Sequence, residues 1–240
     1  MPLRQVVVVV AALLSLGAAS LHAAPIDSTL FTNYIIYAGM QQAVQWSVCG
    51  HTQMTGGCYA SGSLGTFGNV GSIIEGSPSY NLTKGTATRY IYVVDGAYGT
   101  GGNQVALRVY KKIDTITSSD DTVTVTLFKT VILSALVGGK TAVVSMAANP
   151  KFVFIGTNLG SQVQYVRKSN LALYENGIGD GINITAITAN RSGYVTVTSG
   201  NSQGIGDFLV FNPDGGTDED GGGEEFFANT VQGFKPPVFE

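Results

Sequence analysis

The carboxylates of this 240-residue chain crowd into one stretch. Between Arg191 and Lys235 lie Asp207, Asp214, Asp218, Glu219, Asp220, Glu224 and Glu225, with no basic residue among them. Carboxylates on a Gly-rich backbone can wrap a calcium ion, which takes about six to eight oxygens. Asp214, Asp218, Asp220 and Glu224 are the candidate ligands. The order Asp218-Glu219-Asp220-Gly221-Gly222-Gly223-Glu224 does not follow EF-hand spacing. Seven carboxylates interleaved with Gly equally describe a solvated linker, which is the preferred reading of residues 212–225. No metal is assigned there, and calcium stays as the alternative.

Other reactive groups are sparse. His51 is the one histidine outside the N-terminal leader and lies between the two cysteines, so it reads as a surface residue rather than a general base. Gly200-Asn201-Ser202-Gln203-Gly204 fits G-x-S-x-G, but that chemistry needs a strand-to-helix elbow. Here the pentapeptide joins two predicted strands and reads as a hairpin loop. Gly96 to Gly102 follows a strand as a dinucleotide loop would. Its glycines at 96, 99, 101 and 102 do not spell G-x-G-x-x-G, and a strand rather than a helix follows. Glu75, Asp95 and Asp207 each fall at a predicted strand end or loop, but no spacing selects them, and no catalytic residue is assigned.

Cys49 and Cys58 stand close together, with Gly50, Gly56 and Gly57 between them. In an exported chain this predicts a disulfide, worth about 2–3 kcal/mol in the chain-entropy model. Export itself is predicted from residues 1–23. Arg4, the apolar run Val6 to Leu16 and small residues through Ala23 have the layout of a signal peptide, too short to span a bilayer. Its removal takes Arg4 away, leaving 12 of the 13 basic groups against 16 acidic ones, a net of −4. So acidic a chain offers little to phosphates, so nucleic acid and anionic membranes are not expected partners.

The elements that must hold these groups are strands. Charged residues are 12% of the chain, against about 25% in an average protein, and Gly numbers 32. That excludes disorder and coiled coil and predicts a turn-rich, all-β domain over residues 24–240. Four segments look alike: Tyr34 to Gly39, Tyr90 to Gly96, Phe152 to Gly156 and Tyr194 to Thr198. Three are apolar throughout apart from Asp95, as strands covered on both faces are. Each precedes a polar turn and a second strand: Ala43 to Val48, Val105 to Tyr110, Val163 to Val166 and Phe208 to Phe211. Upstream strands at Ala142 to Ala147 and Ile184 to Ala189 lead into turns that begin Ala148-Asn149 and Ala189-Asn190. The last two segments start 42 residues apart, which matches a propeller blade of about 40–45 residues. Trp46 alternates with Val44 and Val48 and is predicted to be core.

Ala148 to Asn158, with Gln162 to Val166 after it, resembles the YVTN type of β-propeller repeat. Ile184 to Gly200, continuing to Phe208 to Gly215, is similar to the related NHL type. The resemblance covers the second half of the chain. It implies four-stranded blades closing into a ring of four or five, with a β-sandwich as the alternative architecture. It also implies functions from ligand binding to lactone hydrolysis. The expectation is a secreted or periplasmic, non-enzymatic binding module whose blade loops recognise a glycan, a small molecule or a surface protein. The alternatives are a calcium-dependent lactonase- or esterase-like hydrolase using Glu75, Asp95 or Asp207, and a structural matrix component.

Overall fold

The computed structural model describes residues 34–40, 43–49, 58–116, 121–159, 163–178, 184–190, 194–200, 205–212 and 224–232, the strands over 34–40, 205–212 and 224–232 by backbone alone. These residues form sixteen strands and no helix. The all-β class expected from composition is therefore what the chain adopts.

The first sheet contains β1 (Tyr34–Met40), β2 (Ala43–Cys49) and β3 (Cys58–Thr66) in that order. The second contains β4 (Val70–Glu75), β6 (Thr86–Tyr98), β7 (Gln104–Ile116) and β8 (Asp121–Ile132), with the short β5 (Ser79–Asn81) beside β6. The third is a plain meander of β9 (Val144–Ala148), β10 (Phe152–Thr157), β11 (Val163–Arg167) and β12 (Leu173–Ile178). The fourth repeats that meander in β13 (Ile184–Ala189), β14 (Val195–Gly200), β15 (Ile205–Asn212) and β16 (Glu224–Gln232). All pairings are antiparallel.

Successive sheets pack face to face, because the core strands are apolar on both faces. In β10, Val153 and Ile155 join the cluster shared with the second sheet, while Phe152 and Phe154 join the cluster shared with the fourth. Val44, Trp46 and Val48 of the first sheet pack on Ile91, Val93 and Tyr110 of the second, so Trp46 is core as predicted. The result is four layers in succession, not the two of a sandwich. Each cluster joins neighbours, and among the described residues none joins the first sheet to the fourth. This succession resembles propeller blades, but the clusters do not close it into the expected ring.

Glycine lets neighbouring sheets approach. A Cβ on Gly156 in β10 would come within 2.8 Å of Ile184 Cγ2 in β13, and one on Gly71 in β4 would collide with Val144 in β9. Left-handed geometry matters mainly in the β6–β7 hairpin, where Gly99, Gly101 and Gly102 have φ of 79°, 85° and 63°. The Gly-rich segment read as a loop thus closes this hairpin.

The strands missed from sequence are β3, β4, β5, β8, β12 and β16, the last occupying ground assigned in part to the acidic linker. β7 and β8 slip register between Val109 and Tyr110, so that Lys129 and Leu127 find partners and Phe128 is an extra residue. Cys49 and Cys58 are opposite one another on β2 and β3 and form the predicted disulfide. That bond fits an extracellular or periplasmic protein.

Candidate functional site

The two Ala-Asn turns, far apart in sequence, meet at one end of the molecule. Each joins the first two strands of its meander, so the repeat places both at the same edge of adjacent sheets. The Asn149 amide oxygen accepts from the backbone N–H groups of Lys151 and Phe152 at 2.9 and 2.7 Å, and the Asn149 backbone N–H donates to the Phe152 carbonyl at 3.1 Å. Asn190 repeats the device, its amide oxygen accepting from the Tyr194 N–H at 3.0 Å. These side-chain caps set both turns, as Asn turns do generally.

Three further elements complete a cleft of about 560 Å³ around these turns. The exit of β4 contributes Glu75, Gly76 and Ser77, held to β6 by the Gly76 N–H donating to the Tyr90 carbonyl at 2.8 Å. β6 contributes Tyr90 and Tyr92, on the face it turns toward the third sheet. The turn after β11 contributes Lys168, whose Nζ donates to the Asn149 carbonyl at 2.5 Å and lies 5.7 Å from the Tyr92 ring centroid. Burial pushes the Tyr92 phenol up to about 12, with neighbouring Tyr90 adding to the rise. Burial also lowers the Lys168 ammonium below its ordinary value. The volume is within the usual range of ligand sites, and the lining groups include amides, phenols, one hydroxyl, one ammonium and the Glu75 carboxylate.

Of the candidate carboxylates among the described residues, only Glu75 borders this cleft. Its carboxylate lies 3.3 Å from Arg89 and 3.9 Å from Lys112. Asp95 is fully buried toward the other end of β6. There it accepts from the backbone N–H groups of Gly68, Asn69 and Ala97 and pairs with Arg108 at 2.9 Å. Asp207 lies in β15 opposite Ser199 and Thr230. The structure does not bring Glu75 and Asp95 together. Glu224 opens β16 opposite Asn212, while Asp214, Asp218, Asp220 and His51 lie outside the described residues. Among the described residues no three His, Cys, Asp or Glu side chains are grouped to hold a metal. Residues 201–204 of the G-x-S-x-G match also lie outside, but the strands they connect pair as a hairpin, with Gly200 opposite Gly206.

Sequence reasoning missed Tyr90, Tyr92, Asn149, Lys168 and Asn190 as a group. It read the asparagines as turn formers and the tyrosines as strand residues. The repeat of an Ala-Asn turn was the available signal that they share an edge.

No family model and no curated protein matches the chain. A chain in the structure titled "Crystal Structure of Mitotic Checkpoint Complex" is similar over 87% of this chain and 69% of its own, at 12% identity and a TM-score of 0.34.

Proposed function

We propose that the protein is an exported binding module of the propeller-repeat kind that holds a glycan in the cleft between the turn ends. The observation that carries this reading is the meeting of two Asn-capped turns with Tyr90, Tyr92 and Lys168 around one cavity of about 560 Å³. Sugars present apolar ring faces and outward hydroxyls. Phenol rings and amides match them with apolar area and paired hydrogen-bonding groups. The turns come from different sheets and are held by their own asparagine caps, so the cleft is formed before a ligand arrives.

The test is a glycan array probed with the chain from residue 24 onward, followed by titration of the best binder. Tyr90→Ala should weaken that binder at least tenfold without shifting the melting temperature enough to unfold the protein. An array without a binder overturns the reading. Turnover of a lactone or ester panel, abolished by a chelator, replaces it with the hydrolase.

A further inference from the structure

Net charge conceals an uneven distribution. Residues 122–174 contain Lys129, Lys140, Lys151, Arg167 and Lys168 and not one Asp or Glu, in a chain whose acidic groups outnumber its basic ones 16 to 13. This stretch spans most of β8 and the third sheet as far as the first residues of β12. Strand register then concentrates three of the five cations. Lys151 immediately precedes β10, Arg167 closes β11 opposite Phe152, and the Lys168 N–H donates to the Lys151 carbonyl at 2.8 Å. These residues line a second cleft of about 400 Å³ with Pro150, Phe152 and Ser169. The Arg167 guanidinium lies 5.5 Å from the Phe152 ring centroid.

The two clefts share Pro150 and Lys168 in their walls, so they adjoin at this turn. Lys168 stands at the junction. An ammonium has three donors, and the described bond to the Asn149 carbonyl uses one. Among the described residues no carboxylate lines the second cleft, and the Glu75 carboxylate in the first faces Arg89 and Lys112. A ligand lying across both clefts meets amides and phenols at one end and three cations at the other. Cations gathered in a cleft focus a local positive potential that the protein's overall charge does not cancel beyond a Debye length of about 8–10 Å.

We infer that the ligand is an acidic saccharide, a chain of uronate sugars whose carboxylates engage Lys168, Arg167 and Lys151. This rests on the glycan reading above and narrows it. Three cations make too short a track for a nucleic acid duplex, whose affinity grows with the number of phosphates neutralised.

The test is calorimetric titration of the chain from residue 24 onward with hexagalacturonate, its fully methyl-esterified counterpart and a linear hexaphosphate. The free acid should bind at least tenfold more tightly than the neutral ester, with the difference shrinking as salt rises. Lys168→Met and Arg167→Gln should each reduce that ratio several-fold, with thermal melts showing the variants folded. Lys140→Gln, in the connection that leads into β9 and outside the described lining of both clefts, should leave it unchanged. Equal affinity for acid and ester, or a ratio indifferent to both variants, overturns the acidic inference while the glycan reading survives. Binding of neither hexamer overturns the inference, and only a silent array removes the glycan reading with it. Hexaphosphate binding more tightly than hexagalacturonate also overturns it, in favour of a site for free polyanions.

Discussion

The two faces of the second sheet solve the same packing problem differently. Toward the third sheet, β6 and β7 present Tyr92, Val94, Val105, Leu107 and Val109, a buried apolar face. Toward the first sheet, Ile91, Val93 and Tyr110 alternate with Asp95, Arg108, Lys112 and Asp114. That second face is also buried, Lys112 and Asp95 at 0% exposure and Asp114 at 1%. Its stability depends on partnership. Arg108 reaches Asp95 and the Thr66 carbonyl, Tyr110 donates to the Leu64 carbonyl, and Lys112 lies 3.1 Å from Asp114. The apolar face tolerates loss by leaving a cavity, whereas the polar face loses a partner and leaves a charge behind. Low overall charge therefore does not mean that charge is idle. Much of what the second sheet carries lies inside.

The largest break in this comparison is Asp95→Ala. It leaves Arg108 and three backbone N–H groups without their acceptor, and the loss should be about 4 kcal/mol in a urea melt. The double replacement Asp95→Leu with Arg108→Met sharpens the point. A simple buried ion pair is replaceable by apolar groups, but here the N–H groups stay orphaned, so a deficit of about 1–3 kcal/mol should persist. On the opposite face, Leu107→Ala should cost about 3 kcal/mol through lost burial and the cavity left behind. Reducing the Cys49–Cys58 bond, which ties β2 to β3 in the sheet that covers the polar face, should cost about 2–3 kcal/mol. Melts with and without reductant give the value directly.

The smallest effect is one of pH. Tyr92 keeps its proton in the folded protein up to about 12, against an ordinary value of 10.0. The folded state therefore binds more protons than the unfolded chain between those values. The contribution is intact below pH 10 and is lost as pH rises toward 12. Melting temperatures measured over that range should fall less steeply in Tyr92→Phe than in the wild type.

These faces also show what the residues reveal before any coordinates. Phe152 to Gly156 is apolar at every position, and that alone places β10 between two layers. Ala43 to Val48 alternates, and Trp46 lies with Val44 and Val48 in the core, as the alternation requires. The same rule misleads in β7. Arg108, Lys112 and Asp114 recur at every second or fourth position, the pattern of a wet face, yet a further sheet covers them. Alternation reports polarity and does not report what lies opposite. The cleft was hidden for a related reason. Asn149 and Asn190 are legible as turns, while their neighbourhood depends on how adjacent meanders stack. Six strands escaped notice: β3, β4 and β8, the three-residue β5, the glycine-containing β12, and β16, which starts among the carboxylates of the acidic stretch.

The extra residue at Phe128 bears on solubility. β8 is twelve residues long and ends its sheet, so its outer backbone groups offer a template to any passing extended chain. Leu127 and Phe128 stand more than half exposed along it. The kink between Lys129 and Leu127 divides that template, because a visitor in step on one side is out of step on the other. A single inserted side chain thereby guards the longest open margin among the described strands against fibrous growth.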